Sequence, residues 1–318
     1  MKFGIIGAGQ FSRYILEAYK KYFPDVTIRA VVDKDQDLAK ELAADFAIAL
    51  VLSDVDSLLA DQSLDIVIIL TPPNTHFQLA KQALLAGKHV LVEKPIAFNR
   101  QDAQELFDLA AQENLQLCAN FVLRFHPFHQ ELRTIVQEKR YGQMKRIVSS
   151  AALAEYPAEH WYWDKLISGG FFLNTYCHFT DLFDFISGET PFSYQSTGNV
   201  ETGHQINLEY KDYTATLSTY LHASNDQESI RTDYWFDQAV ISLDGWLPKT
   251  MTITARNGHQ VVKKTNRPKD EAYQQALSAI MAEFIGRIDG SVKQPQITNE
   301  SVLQSVISAV GCEENPLD

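Results

Sequence analysis

The sequence predicts a doubly wound α/β region with a parallel sheet, followed by an α+β region built on a mainly antiparallel sheet. Three observations carry that expectation. The chain has 318 residues and 45% hydrophobic composition, longer than one core usually grows, so two globular domains are expected. To about residue 118, short apolar runs alternate with amphipathic segments, which is a repeated βα rhythm. Beyond Gly142 the rhythm changes to long strands of alternating polarity.

In chain order, "KFGII", "IRAVVD", "IALVL", "DIVIIL", "HVLVE" and "LQLCA" are the strands of the first region, with helical stretches such as "DLAKELAADF" and "HFQLAKQALLAGK" separating them. "DIVIIL" is apolar on both faces, as a parallel strand covered above and below must be. "RFHPFHQELRTIVQEKRYG" reads as one helix ending at Gly142. "MKRIVSSAAL", "HQINLEYK", "YTATLSTYLHA", "AVISLDGW" and "TMTITARNGHQVVKK" follow as antiparallel strands. "DEAYQQALSAIMAEFIGRIDG" and "TNESVLQSVISAVGCEEN" have helical spacing, the second opening on the capping residues Thr298, Asn299 and Glu300. The expected division is 1–119 and 120–318, without repeats, low-complexity tracts or a long linker.

Lys and Arg number 28 against 40 Asp and Glu, a formal charge of -12, which argues against nucleic acid or an anionic membrane as partner and for small ligands. Met1 leads straight into a strand and turn. There is no leader-like segment and no apolar run long enough to span a bilayer, so a cytoplasmic protein is expected. Cys118, Cys177 and Cys312 are scattered and odd in number, and reduced thiols are expected. His126 and His129 have a metal-compatible spacing but no cysteine or acidic companion at a diagnostic interval, so no metal is expected.

"GIIGAGQFSR" sets Gly7, Gly9 and Ser12 in a G-x-G-x-x-S pattern after a strand and before a helix. The first glycine permits the tight turn, and the second lets backbone approach a pyrophosphate. The third position needs a small residue, a need that serine meets. Amides at the helix start, where Gln10 and Phe11 lie, then face the phosphates. Asp33 ends the next strand, where a carboxylate binds ribose hydroxyls. Strand, turn, helix and acid in this order predict a Rossmann dinucleotide site. Asp33 leans toward NAD because it repels a 2′-phosphate, while Lys34 and Arg13 weaken that preference and keep NADP as an alternative.

"TPPNTHF" and "VLVEKP" leave two further strands at their carboxyl ends, the side where doubly wound sheets bind ligands. Thr71, Pro72, Asn74 and His76 therefore border the cofactor, with a structural reading preferred for His76 as the residue that orients the next helix. Glu93 and Lys94 follow the next strand, and Lys94 reaches toward the nicotinamide. In "SGGFFLNTYCHFTD", Asn174, His178 and Asp181 are spaced four and three apart. On a helix they share one face inside an apolar run that includes Phe171 and Phe172. That stripe reads either as a ligand site or as a satisfied core. "EYPAEHWYWDKL" just upstream carries Tyr156, His160, Trp161, Tyr162 and Trp163, which read equally as a wall for a sugar, with Trp163 touching substrate, or as core or a subunit contact.

Gly7, Gly9 and Asp33, "EKP" at 93–95, "RFHP" at 124–127, and the glycine pair with Asn174, His178 and Asp181 together resemble the Gfo/Idh/MocA oxidoreductase family, over essentially the whole chain. The resemblance implies a Rossmann domain followed by an α+β domain with an open antiparallel sheet for substrate binding and oligomerisation. It also implies NAD(P)-dependent chemistry on sugars, inositols or related polyols. Lys94 matches the lysine beside the nicotinamide and the substrate hydroxyl, and His178 the histidine assigned as acid or base. The family pattern has aspartate where this chain has Asn174, and an amide cannot hold a charge or stabilise an imidazolium as a carboxylate does.

The resulting expectation is hydride transfer between nicotinamide and a carbinol or carbonyl carbon. Lys94 hydrogen-bonds the reacting oxygen, His178 exchanges its proton, and Asn174 orients His178 or a neighbouring hydroxyl. A noncatalytic sensor of NAD(P) and sugar, its chemistry lost through Asn174, is the competing expectation. The alternating strands also predict a homodimer or homotetramer.

Overall fold

The computed structural model describes residues 1–170, 172–199, 203–223 and 228–314, apart from the side chains at 172, 222, 223 and 311–314; Phe171 and the side chains of Phe172 and Cys312 thus lie outside it. The chain forms two compact units, one of Met1–Val122 with Gln274–Val306, the other of Leu123–Tyr273 with Ile307–Asp318. The sequence expectation places one cut after residue 119; in the structure Gln274–Val306 groups with the first unit. Periodicity identifies a helix but does not say which sheet it covers.

The first unit alternates β1 (Lys2–Ile6), α1 (Gln10–Tyr22), β2 (Thr27–Val32), α2 (Gln36–Phe46), β3 (Leu50–Leu52), α3 (Val55–Leu59), β4 (Ile66–Ile69), α4 (His76–Leu85), β5 (His89–Val92), α5 (Arg100–Gln112) and β6 (Leu117–Ala119). Every pairing is parallel, in the order β3-β2-β1-β4-β5-β6. All four residues of β4 are buried, as helices on both faces require. Local signals set the helix ends. Asp35 accepts hydrogen bonds from the amides of Asp37 and Leu38 at the start of α2, and Asn99 accepts from Asp102 at the start of α5.

The second unit contains α6 (Pro127–Gln137), β7 (Met144–Ala154), α7 (Lys165–Ser168), a π-helical turn (Phe172–Tyr176) and α8 (Cys177–Ser187). Then come β8 (Ser193–Asn199), β9 (Gly203–Glu209), β10 (Thr214–Ala223), β11 (Ser229–Phe236), β12 (Ala239–Asp244), β13 (Thr250–Ala255) and β14 (Gln260–Lys264). Their sheet runs β14-β13-β12-β11-β7-β10-β9-β8, antiparallel except where β7 and β10 lie parallel. Burial along β11 alternates with period two, so one face is packed and the other bears exposed residues such as Trp235. The chain ends with α9 (Lys269–Ile288) and α10 (Asn299–Glu314).

Two sequence expectations are shortened by local chemistry. The helix read from Arg124 to Gly142 starts only at Pro127, with His126 as its cap, and stops at Gln137; Lys139 then takes a positive φ of 51°. Proline suits the first helical position and disfavours helical backbone before it. "TMTITARNGHQVVKK" is a hairpin, β13 and β14, turning where Gly258 has φ +84°.

Candidate active site

In the first unit, the expected cofactor residues all follow the carboxyl ends of β1, β2, β4 and β5. Gly7 has φ +104°, and a Cβ there would stand 2.7 Å from the Leu70 carbonyl oxygen, so the turn passes too close to the end of β4 for any side chain. A Cβ at Gly9 would meet nothing within 4 Å. Gly9 is also the cap residue of α1, whose first turn, opening at Gln10 and Phe11, has no side-chain cap. Ser12 is buried and donates from Oγ to the Gly7 carbonyl at 2.8 Å, so serine tightens the turn in the third glycine's place. Asp33 Oδ2 accepts from the Ala8 amide at 2.6 Å and Oδ1 from the Asp35 amide at 2.8 Å, which fixes the carboxylate beside the turn. These residues fit a dinucleotide: an unfilled approach at Gly9, uncapped amides and an oriented acid. Arg13 is paired with Asp45, and Lys34 is exposed.

The loops after β4 and β5 are tied together by His76. Its Nδ1 lies 2.8 Å from the Pro95 carbonyl and its Nε2 2.7 Å from the Thr71 carbonyl, while burial pulls its pKa below the usual histidine value. The preferred structural reading of His76 therefore has a geometry: it is a cross-tie between Thr71 and Pro95 rather than only the start of α4. Thr71 Oγ1 and Thr75 Oγ1 are 2.6 Å apart, and Thr75 Oγ1 donates to the Pro72 carbonyl at 2.8 Å, closing a short 3₁₀ turn, Pro73–Thr75, that Pro72 caps and that contains Asn74. Glu93 takes a hydrogen bond from Asn120 Nδ2, and burial pushes its carboxyl up to about 7 against the opposing effects of Asn120 and Lys94. Lys94 is half-buried at the same strand end.

In the second unit, the helix expected to carry Asn174, His178 and Asp181 is divided. Asn174 is buried within the π-helical turn, and His178 is the second residue of α8 and half-buried. Such widened turns recur at functional sites. Asp181 does not share an open stripe with them. Arg124 from "RFHP" grips it, with Nε 3.2 Å and 3.0 Å from its two carboxylate oxygens and Nη2 on Oδ1, both side chains being 1% exposed. Asp181 thus follows the satisfied-core reading. A turn below, Asp184 accepts from Tyr210 Oη at 2.7 Å and Ser308 Oγ at 2.9 Å; burial first, and Asp181 in addition, push its carboxyl up to about 8.

His178 meets Trp246 edge to face, ring centroids 5.4 Å apart, and Phe179 lies 4.4 Å from the same indole. Trp246 and Asn120 were missed by the sequence reading. Each is a lone residue after a strand with no diagnostic spacing, and only the fold sets it against a functional side chain. In the aromatic stretch, Tyr156 stacks on Tyr162 at 4.6 Å and on His160 at 4.8 Å, while Trp163 Nε1 donates to the Tyr156 and Pro157 carbonyls. Trp161 is exposed, while Tyr156, Tyr162 and Trp163 are half-buried. Tyr162 Oη lies 2.5 Å from Thr175 Oγ1, which joins the aromatic stack to the turn holding Asn174. Among the described residues, no group of three His, Cys, Asp or Glu side chains is arranged to hold a metal, and no helix is long and apolar enough to cross a membrane.

Comparison with known proteins follows this geometry. UDP-N-acetylglucosamine 3-dehydrogenase of Acidithiobacillus ferrooxidans is 36% identical over 133 residues, 42% of this chain and 41% of that protein. Inositol 2-dehydrogenase of Rhizobium meliloti is 25% identical over 245 residues, 76% of this chain and 72% of that protein. For several such curated relatives, the match spans about half of their length. The solved structure of KijD10, a 3-ketoreductase from Actinomadura kijaniata in complex with NADP and TDP-benzene, superposes with a TM-score of 0.85 at 20% identity, over 100% of this chain and 98% of that one. Residues 1–121 match the oxidoreductase family model with an NAD-binding Rossmann fold, and residues 129–231 match the C-terminal domain model of the same family. With both of its domains represented, the chain belongs to the Gfo/Idh/MocA oxidoreductase family.

Proposed function

We propose that the protein is an NAD(P)-dependent dehydrogenase or reductase acting on a carbinol or carbonyl of a sugar, inositol or related polyol. The observation that carries this reading is the cradle itself. Gly9 opens onto space above uncapped helix amides, and Asp33 is oriented beside the turn. Its relatives act, by name, on UDP-N-acetylglucosamine and inositol.

The nicotinamide, when bound, accepts or supplies the hydride. The remaining work falls to the chain. Gly7, Gly9, Gln10 and Phe11 present backbone to the phosphates, and Asp33 receives ribose hydroxyls through lone pairs its amide partners leave available. Thr71, Pro72 and Asn74 border the cofactor, and His76 holds that loop to the one bearing Glu93 and Lys94. Lys94 hydrogen-bonds the reacting oxygen. In oxidation the hydroxyl proton passes to His178 and in reduction it returns, a task suited to an imidazole nitrogen, which accepts or donates a proton according to its protonation state. Asn174, an amide without charge, orients the substrate or His178, and Trp163 with its neighbours forms an aromatic wall.

Asp33 beside the turn favours NAD over NADP, and Arg13, engaged by Asp45, leaves a 2′-phosphate one cation fewer. The sheet face bearing Tyr220 and Trp235, each 46% exposed, serves a homodimer or homotetramer, which a solution mass measurement checks.

Purified protein mixed with NAD or NADP and a panel of sugars and polyols tests the proposal through absorbance of the reduced nicotinamide. Turnover by at least one panel member is expected. Saturable cofactor binding without any turnover favours the noncatalytic sensor, the reading to which Asn174 in place of aspartate gives weight.

A further inference from the structure

We infer that Asn120 is a positioning residue for Lys94: it donates to the Glu93 side chain and holds that carboxylate, charged, beside the lysine. The inference rests on the reading of Lys94 as the group that hydrogen-bonds the reacting oxygen and adds the residues that set the charge around it.

The parts lie at the carboxyl ends of two neighbouring parallel strands of the first unit. β5 ends at Val92 and β6 at Ala119, and these two residues are in register, so Glu93 and Asn120 are the first residues beyond the sheet. The Asn120 backbone amide donates to the Val92 carbonyl at 2.9 Å and the Glu93 amide to the Ile69 carbonyl at 3.0 Å, which fixes both backbones. Asn120 is 4% exposed, and its Nδ2 donates to Glu93 Oε1. A carboxylate only accepts, so it selects the nitrogen end of the amide. On the other side of Lys94, His76 Nδ1 lies 2.8 Å from the Pro95 carbonyl. The lysine is thus flanked by two residues that are each tied to another element.

The side-chain bond is not needed to join the strands. The ladder between β5 and β6 and the Asn120 backbone amide already do so. What the side chain adds is a bond to a charge. Glu93 and Lys94 are both half-buried. Burial pushes the Glu93 carboxyl up to about 7, while Asn120 first and Lys94 next oppose the rise. A hydrogen bond to the charged form favours that form, so Asn120 weights the group beside Lys94 toward the anion. Among the described residues, the titratable groups around this corner are Tyr19 of α1, whose phenol is raised by burial first and by Glu93 in addition, and Cys118 of β6, which acts on the same phenol. His76 of α4 also feels Lys94 and is lowered, chiefly by burial. The shifts of Tyr19 and His76 favour their neutral forms and leave Glu93 as the charged neighbour of Lys94.

The full chain, isotope-labelled at its glutamate carboxyl carbons, tests the hold by NMR without cofactor or substrate. The resonance lost in Glu93→Gln identifies Glu93, and its titration midpoint is expected at about 7. In Asn120→Ala the midpoint moves up by roughly one pH unit or more, the scale of one charge-assisted hydrogen bond. Turnover of a sugar or polyol supplies the second readout. At about pH 7 the ionised share of Glu93 falls from about a half to about a tenth in Asn120→Ala, so kcat/KM there falls roughly fivefold and recovers at higher pH. Glu93→Gln keeps the shape and an acceptor but not the charge, and it holds kcat/KM near the parent's acid value across the range. A merely structural role leaves the profile of that variant unchanged, and if Asn120→Ala does not fold, Glu93→Gln decides. A midpoint at the usual glutamate value of about 4.3, a midpoint unmoved by Asn120→Ala, or a profile equal to the parent's in both variants overturns the positioning role and leaves the dehydrogenase reading standing. Absence of turnover with every sugar and polyol overturns the dehydrogenase reading alone, and the midpoint still decides whether Asn120 holds the charge.

Discussion

The six-stranded and eight-stranded units support their candidate functional groups in different ways. In the first, the groups sit on turns at the ends of parallel strands, and much of the chemistry belongs to the backbone: the Gly7 turn, the open Gly9 and the starting amides of α1. In the second, the groups are side chains on a π-helical turn, a helix and an irregular aromatic stretch, held by partners distant in sequence. Backbone sites advertise themselves through glycine spacing, because only certain residues tolerate the required φ or closeness. Side-chain sites depend on packing, which spacing does not encode.

The comparison can be broken most severely at Arg124. Replacing it with leucine takes the guanidinium away from buried Asp181, and a loss of about 3–5 kcal/mol is expected, measured by denaturant unfolding. A loss below about 1 kcal/mol, the scale of an exposed pair, would show that the ion pair does not anchor α8. Next comes His178→Ala, expected to lower kcat by roughly a hundredfold or more while cofactor affinity stays nearly constant. Unchanged turnover removes the proton-exchange role and returns the histidine to a packing role against Trp246.

In the first unit, Gly7→Ala places a Cβ 2.7 Å from the Leu70 carbonyl oxygen at a positive φ. It is expected to cost about 1–3 kcal/mol of stability and to weaken NAD binding, read by fluorescence titration. Gly9→Ala sharpens the contrast. Its Cβ meets no protein atom, so near-native stability with weakened cofactor binding is the expected pair of results. Loss of stability together with unchanged binding would contradict the proposed cradle.

The last prediction concerns pH. Asp184 has its folded pKa raised to about 8, against about 3.9 for an unperturbed aspartate. Its protonated form is favoured by folding, so its contribution to stability is complete below about pH 4 and is lost as pH rises toward about 8. Asp184→Asn keeps a polar group beside Tyr210 and Ser308 and should flatten Tm against pH across that window. A slope identical to that of the parent chain would refute the assignment.

The parallel strands were legible as apolar runs, and the cradle as glycine and acid spacing, because both are local requirements of the backbone. Less was legible in the second unit. Asn174, His178 and Asp181 stand at helical intervals, yet the wide turn at Phe172–Tyr176 and the grip of Arg124, 57 residues away, divide them into different environments. The hairpin of β13 and β14 reads in the sequence as one strand because both flanks alternate with period two. Trp246 carries no pattern at all; its relation to His178 exists only after folding.

The return of Gln274–Val306 to the first unit also bears on how the molecule can be divided. Arg287 donates to the Gln116 side chain at 3.0 Å and to the Leu117 carbonyl at 3.2 Å, so the edge strand β6 is braced by residues synthesised long after it. A gene cut after the dinucleotide motif would therefore yield a fragment with an unbraced edge. Two separately expressed pieces would need each other to brace a sheet whose strands all lie in the first.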